Sequence, residues 1–448
     1  MRLREPVALT ADERSFRNAK LRAAFLISYK AFADLAGKAA LFVITVVAAR
    51  RLSAQAFGVF SLGSTLGWIV AVTTDFGIQL HLARAVARRP QDAAPLLASW
   101  LRVRLWTAAA AMAVVSIGLL VSGWSATVSV PIAVLALVYA CSGLIELLHY
   151  FYRGLSRSEV ESSLTLWQRS ATLVCGLIAL AWWPDVTVLA YAMLLPVVAT
   201  LAVSVRLASR LASASPEERE NVAHPPRRNS QRADTRVRPW TTFRRDVWPI
   251  GAGIVLSALY FRIDVFLVQL WSGTDSVALY NAVFRLVEAL RLFPAAVLAV
   301  VLPSLCRAVD LRPLLRVAVP TTIGAAAAAA ALWAVSGWLV PFVYGAPYAN
   351  AVPAFRILLL SFPLMSLNLA LTHQLVGWNG QRTFAVLCAG ALVFNVVINT
   401  RLIPAWSIAG AAWATLGTEL FLTAGCVAAL ATMTFTVGEA VTEDVVMG

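Results

Sequence analysis

Apolar residues occur along this chain in long runs separated by short polar segments. A membrane-spanning helix needs about 20 mostly apolar residues. The pattern predicts twelve such helices, so we expect an all-α polytopic membrane protein. Their approximate bounds are about 21–49, 57–82, 98–122, 127–152, 163–183, 186–207, 246–271, 277–305, 314–344, 351–376, 382–402 and 407–432.

The longest polar segment divides the twelve helices into two sets of six. Residues 208–245 are rich in Arg, Ser and Pro, which predicts a disordered cytoplasmic linker. Its arginines fit either a simple connector or attraction to anionic membrane lipids. FGVFSL (57–62) aligns weakly with VALYNA (277–282), which indicates an internal repeat. The predicted organisation is a cytoplasmic tail (1–20), an N-lobe (21–207), the linker (208–245), a C-lobe (246–432) and a cytoplasmic tail (433–448).

The polar segments differ in charge from one side of the membrane to the other. If the N-terminus is cytoplasmic, all of the cytoplasmic loops carry arginine and the opposite loops carry almost none. Basic residues collect in cytoplasmic loops, so we expect both termini in the cytoplasm. Arg50 and Arg51, which follow the first helix, are the exception.

Composition agrees with a membrane protein. The chain is 60% hydrophobic and 13% charged, with a mean hydropathy of +0.75, whereas soluble domains have about 25% charged residues. The arginine-rich loops account for the net charge of +14, and the sequence has no nucleic-acid-binding motif. Nucleic acid is therefore not an expected partner.

The sequence carries no signature of a cofactor, a metal site or an ATP-driven pump. The five cysteines are isolated, and no P-loop motif is present. A membrane glycan polymerase or ligase would need a sizeable external catalytic loop. The loops predicted outside are short and contain only Asp185 and Asp275 as acids. These features favour a protein that is not an enzyme.

Charged residues inside the predicted spans are the candidate functional residues, because a charge at mid-bilayer costs about 2.5–3.5 kcal/mol. Two helices carry a carboxylate between two cations on one face: Lys30–Asp34–Lys38 in the first half and Arg285–Glu288–Arg291 in the second. Each set has a net positive charge, which suits an anionic ligand in a cavity. The alternative is structural pairing between helices.

Further charged residues in the second half extend these two sets. The candidate ligand-binding residues are Lys30, Lys38, Arg262, Arg285 and Arg291. The candidate residues for ion coupling or cavity charge are Asp34, Asp264, Glu288 and Glu419. The carboxylates among them could exchange H⁺ or Na⁺.

The segment AARRLSAQAFGVFSLGSTLGWIVAVTTDFGIQLHLARAVAR resembles the corresponding segment of polysaccharide and O-antigen flippases. The start of the second half, LYFRIDVFLVQLWSGTDSVALYNAVFRLVEAL, also resembles that family, with Asp264 inside its helix. These proteins belong to the multidrug/oligosaccharidyl-lipid/polysaccharide exporter superfamily. The matching positions in the first segment are Arg51, Phe57, Gly58, Phe60, Asp75, Phe76, Gly77 and Arg84.

The resemblance implies a V-shaped pair of six-helix lobes around a central cavity. It also implies a transporter of the bacterial inner membrane that flips a polyprenyl-diphosphate-linked oligosaccharide from the cytoplasmic to the outer leaflet. A cation-coupled multidrug exporter of the same superfamily is the nearest alternative, and a membrane glycan polymerase or ligase is a more distant one.

Overall fold

A computed structural model describes residues 11–213, 248–306 and 310–446. Most of the predicted linker (208–245), from residue 214 onward, lies outside the described residues, as do residues 1–10 and 447–448 of the two predicted tails. The first helix begins at Ala11, inside the segment predicted as a tail. The predicted domain division therefore stays a prediction.

All regular secondary structure in the described residues is helical. Two 3₁₀ helices, Pro90–Asp92 and Ala346–Ala351, lie in connections between longer elements. In chain order the α-helices are α1 (Ala11–Arg51), α2 (Ala54–Asp75), α3 (Ile78–Arg88), α4 (Ala93–Val121), α5 (Ala126–Gly154), α6 (Ser158–Trp182), α7 (Val186–Ser213), α8 (Trp248–Ser272), α9 (Thr274–Leu290), α10 (Leu292–Cys306), α11 (Arg312–Tyr344), α12 (Val352–Gly377) and α13 (Gln381–Val446).

Within these ranges, ten helical stretches are long and apolar enough to cross a membrane. One of them, in α13, contains two crossings, because the backbone leaves helical geometry at Ser407 (φ 48°, ψ −126°). The turn needs glycine at position 410, where a Cβ would lie 2.0 Å from the Leu402 carbonyl oxygen. Consecutive helices α9 and α10 are individually short and together supply another crossing. The described residues thus contain ten to twelve candidate crossings, in agreement with the predicted all-α polytopic fold.

In both halves, two consecutive helices form the second crossing. The first break lies at Phe76 and Gly77, which have φ values of 43° and 80°. The Asp75 carboxylate accepts hydrogen bonds from the backbone N–H groups of Gly77 and Gln79, both at 3.2 Å, and so stabilises the start of α3. The second break separates α9 from α10 at Arg291. This shared feature supports the internal repeat.

Each lobe packs around its own central helices. In the N-lobe, α5 contacts α2 and α7, and α1 packs on α6. Gly63 and Gly67 allow the close α2–α5 approach, because a Cβ on either would lie 2.8 Å from an α5 side chain. In the C-lobe, α13 packs on α8 and α12.

The two lobes meet along a seam formed by α2 against α8 and α9. At the end of the molecule where α1 ends, called the Arg50 end here, Arg50 Nε donates to the Val343 carbonyl oxygen of α11 at 2.7 Å. A Cβ on Gly58 would lie 2.2 Å from the Thr274 carbonyl oxygen, so the two lobes are in backbone contact there. At the opposite, Phe76 end, Phe76 packs on Trp248 with ring centroids 5.0 Å apart.

Candidate functional site

Three of the predicted site residues form one ion-pair network, named here the arginine cluster: Arg262, Arg285 and Glu288. Arg262 Nη2 and Arg285 Nη1 both donate to Glu288 Oε2, at 2.9 and 2.7 Å. Arg262 comes from the middle of α8, whereas the other two lie one turn apart near the end of α9. One carboxylate therefore balances two guanidinium groups, and the cluster keeps a net positive charge.

Aromatic rings hold the arginines of this region in place. The Arg262 guanidinium lies 4.5 Å from the centre of the Phe284 ring, and that of Arg291 lies 4.2 Å from the centre of the Phe261 ring. Such cation–π contacts partly replace the hydration that a buried guanidinium loses. Arg291, the third member of the predicted set Arg285–Glu288–Arg291, is thus adjacent to the cluster but forms no ion pair with any described residue.

The members of the arginine cluster differ in exposure. The Arg262 side chain is 3% exposed, whereas those of Arg285 and Glu288 are 23% and 35% exposed. Arg262 Nη1 also donates to the Asn281 side-chain oxygen at 3.2 Å, and the Asn281 amide donates to Ser61 on α2 at 2.9 Å, so the cluster borders the lobe seam. Within the described part of the chain, the buried Nε of Arg285 has no hydrogen-bond partner. The exposed edge of Arg285 is therefore the part of the cluster available to an anion.

Asp264, two residues after Arg262, is buried in a second polar site. The Tyr280 hydroxyl donates a short hydrogen bond to its carboxylate and lies 3.2 Å from the Thr415 hydroxyl. The other Asp264 oxygen accepts the Val265 N–H at 2.9 Å. Asp264 therefore joins α8, α9 and α13 inside the C-lobe.

Glu419 lies beside this second polar site and is 3% exposed. Its carboxylate accepts a hydrogen bond from the Asn368 side-chain amide at 2.7 Å. The Thr423 hydroxyl donates to the side-chain oxygen of Asn368 at 2.8 Å. Glu419 also borders a cavity of about 10 Å³, which is close to the space that one water molecule or a small ion needs. The cavity is lined by Tyr260, Phe261, Asn395, Thr415, Thr418 and Glu419.

The predicted charged set of the N-lobe, Lys30–Asp34–Lys38, is organised differently. Lys30 lies 3.7 Å from Asp34 but only 2.5 Å from Glu161 on α6. Arg153 Nε, at the end of α5, also donates to Glu161, at 2.6 Å. Glu161 is thus the main carboxylate partner of Lys30, and we name Lys30, Arg153 and Glu161 the α6 clasp.

The remaining N-lobe candidates lie on the open face of α1. The Asp34 side chain is 51% exposed, and Lys38 is exposed as well. Lys38 forms no ion pair with any residue in the described ranges. Arg169 on α6 packs against α1 at Gly37, where a Cβ would lie 2.9 Å from the Arg169 side chain. No ion pair among the described residues connects Lys30, Asp34 or Lys38 to the arginine cluster.

Sequence reasoning missed Glu161 and Arg153, which were assigned to a loop, and also Arg104. The Arg104 side chain is 1% exposed on α4, and its Nη2 donates to the Ala71 carbonyl oxygen near the end of α2 at 3.0 Å. Its position as a charge within the predicted span 98–122 was the available signal. Among the described residues there is no cluster of three or more His, Cys, Asp or Glu side chains that fits a metal ion.

A family model described as polysaccharide biosynthesis protein matches residues 27–309. No curated protein matches the sequence significantly. The fold, in contrast, resembles many solved membrane transporters.

Three solved structures illustrate that similarity. A lipid II flippase MurJ in an inward closed conformation has a TM-score of 0.68 and 11% identity, with 90% of this chain and 87% of that chain covered. An inward-facing MATE family multidrug transporter of the MOP superfamily has a TM-score of 0.64 and 13% identity, with 92% and 96% covered. A MOP superfamily transporter from Pyrococcus furiosus, described as having a binding pocket of reversed polarity, has a TM-score of 0.55 and 12% identity, with 92% and 95% covered. The predicted fold class, two lobes in the V-shaped arrangement of this superfamily, is confirmed.

Proposed function

Because this chain belongs to the polysaccharide biosynthesis protein family, we propose that it flips a polyprenyl-diphosphate-linked oligosaccharide from the cytoplasmic to the outer leaflet of the bacterial inner membrane by alternating access. The observation that carries the proposal is the net positive arginine cluster, which borders the lobe seam. A diphosphate is a dense anion, and guanidinium groups bind phosphate oxygens with paired hydrogen bonds.

The cargo's diphosphate binds at the exposed edge of Arg285, with Arg262 behind it and Arg291 beside it. Arg262 adds charge without being exposed, since its side chain is 3% exposed and held by Glu288. Lys30 and Lys38 attract the cargo from the N-lobe side, where α1 presents an open face. The long polyprenyl tail stays in the lipid.

The topology follows the charge of the loops. Arg88 ends α3 and Arg89 follows it at the Phe76 end. Arg157, between α5 and α6, and Arg382, in the first turn of α13, lie at the same end. By the positive-inside tendency, the Phe76 end and both termini face the cytoplasm, and the Arg50 end faces outward. At the outward end, the guanidinium of Arg50 is bonded to the carbonyl end of α11, where a cation is favoured by the helix dipole.

Asp264 and Glu419 are the residues proposed to couple transport to H⁺ or Na⁺. Both carboxylates are buried between α8 and α13 and are surrounded by hydroxyl and amide groups. The cavity of about 10 Å³ beside Glu419 has room for a single small occupant. Asp34 and Glu288 set the charge of the faces that the cargo meets.

The test is a flipping assay in proteoliposomes that carry a fluorescent polyprenyl-diphosphate disaccharide. We expect Arg285→Gln to lower the flipping rate at least tenfold. Arg356→Gln is the matched control, because Arg356 is a half-buried arginine of the same lobe that stacks on Trp333 and donates to Ser336. An unchanged rate for Arg285→Gln, or an equal loss for both variants, would contradict the proposed site.

A cationic-drug exporter would give the opposite specificity. The same proteoliposomes can be loaded with a fluorescent cationic drug, and the net positive cluster disfavours such a substrate. Transport of the drug without flipping of the lipid-linked disaccharide would replace the proposed function. A polymerase or ligase would instead change the length of the glycan in the assay.

A further inference from the structure

Asn281 on α9 connects the arginine cluster to the lobe seam. Its side-chain oxygen accepts a hydrogen bond from Arg262 Nη1 at 3.2 Å, and its amide nitrogen donates to the Ser61 hydroxyl on α2 at 2.9 Å. Ser61 belongs to the N-lobe and Asn281 to the C-lobe. The two side chains are buried, with 0% and 1% exposure.

We propose that Asn281 is a positioning residue that couples anion binding at Arg262 and Arg285 to opening of the lobe seam at the Arg50 end. The proposal rests on the proposed function, because it assigns a consequence to occupancy of the same cluster. It adds a role for Asn281 and Ser61, neither of which contacts the cargo.

The geometry of the amide supports this role. Asn281 has one carbonyl oxygen and one amino group on a single plane, so the bond to Arg262 fixes the direction in which the amino group points. That direction is toward Ser61. If Arg262 turns toward a diphosphate, Asn281 loses the partner that fixes its plane, and the bond across the seam is weakened.

The position of Ser61 places this hydrogen bond close to the lobe contact at the Arg50 end. Ser61 lies one turn after Gly58, whose backbone is in contact with Thr274 at the start of α9. Asn281 lies two turns after Thr274 on the same helix. The hydrogen bond thus lies one to two helical turns inward from the point where the lobes touch.

A structural role alone would not require this arrangement. A buried polar pair costs desolvation that a well-packed apolar pair would avoid. Ser64, one turn further along α2, is similarly buried at 2% exposure, yet its hydroxyl has no hydrogen-bond partner within the described ranges. It provides a matched control on the same helix.

The experiment measures the distance between the lobes at the Arg50 end in lipid nanodiscs. Spin labels are attached through Ser125→Cys on the N-lobe and Asn350→Cys on the C-lobe, both exposed positions, with the native cysteines replaced by alanine. Inorganic pyrophosphate is the probe, and its binding is measured separately by calorimetry. In the labelled parent protein we expect pyrophosphate to increase the population with widely separated labels.

Ser61→Ala should raise that population about fivefold without pyrophosphate, which is the effect of one buried hydrogen bond. Added pyrophosphate should then change it much less than in the parent. Ser64→Ala should behave like the parent and bind pyrophosphate equally well. Ser61→Ala should bind pyrophosphate more tightly, by up to about fivefold, because opening of its seam costs less free energy. Equal behaviour of the two serine variants, or the same response to pyrophosphate in Ser61→Ala and the parent, would overturn the coupling role while leaving the binding site intact. Failure of pyrophosphate to bind the parent would overturn the proposed function as well.

Discussion

The arginine cluster and the α6 clasp each contain one glutamate between two cations, but they bury opposite members of the set. In the C-lobe the cation Arg262 is 3% exposed and Glu288 is 35% exposed. In the N-lobe Glu161 is 4% exposed, and its partners Lys30 and Arg153 are 30% and 34% exposed. The same charge pattern therefore produces a buried cation in one lobe and a buried anion in the other.

The difference extends to position along the helices. Arg153 and Glu161 lie on either side of the short α5–α6 connection, so the α6 clasp fastens helix ends. Arg262 lies in the middle of α8 and reaches the lobe seam through Asn281. We infer that the α6 clasp stabilises the N-lobe, whereas the arginine cluster is placed to meet an anion between the lobes.

Glu288→Gln gives the largest effect expected from this comparison. It leaves Arg262 and Arg285 side by side without a carboxylate, and Arg262 cannot be rehydrated where it lies. We expect the free energy of unfolding to fall by about 3 kcal/mol, measured by titration with SDS in mixed micelles. A smaller loss of unfolding free energy in Glu288→Gln than in Glu161→Gln would contradict the difference between the arginine cluster and the α6 clasp.

Arg262→Lys is the second-largest change. A lysine ammonium cannot bond Asn281 and Glu288 in the planar geometry of a guanidinium, nor stack on Phe284 as closely. We expect a loss of about 2 kcal/mol and a lower flipping rate. The reciprocal change in the N-lobe, Lys30→Arg, should leave both quantities nearly unchanged, because its partner Glu161 accepts either cation. Similar losses for the two exchanges would show that the lobes do not differ in this respect.

The membrane crossings could be predicted because each needs a long apolar run, which is a local property. Breaks inside a crossing were harder to predict. The second predicted helix, about 57–82, is two helices in the structure, since Phe76 and Gly77 adopt positive φ values within an otherwise apolar run. The start of α1 at Ala11 was also missed, because residues 11–20 are polar and the helix continues beyond the apolar segment.

The candidate site could be predicted only in part, for a similar physical reason. Charges within apolar runs identify Arg262, Arg285 and Glu288 individually, and spacing along α9 pairs the last two. Partners on other helices depend on tertiary packing. Glu161 lies 131 residues from Lys30 along the chain, and Asn281 carries no charge that would mark it.

Glu161→Gln has a smaller expected effect than either C-lobe change. A glutamine still bonds Arg153, and both cations are about one-third exposed, so water can compensate for the lost charge. We expect the free energy of unfolding to fall by about 1 kcal/mol. The flipping rate should stay within twofold of the parent if the α6 clasp only stabilises the lobe. A tenfold fall in rate with normal stability would instead make the α6 clasp part of the transport machinery.

Asp34→Asn should have the smallest effect on the free energy of unfolding. It tests whether the open face of α1 contributes to transport. Its pair with Lys30 is 3.7 Å long, the carboxylate is 51% exposed, and Lys30 keeps its bond to Glu161, so unfolding should change by less than about 0.5 kcal/mol. If Asp34 sets the charge of the face that the cargo meets, as we propose, the flipping rate falls at least tenfold in the same proteoliposomes. Glu159→Gln is the matched control, since Glu159 forms a comparably long and exposed pair with Arg157, at 3.6 Å and with 37% exposure of the glutamate. An unchanged flipping rate in Asp34→Asn would restrict the transport site to the arginine cluster.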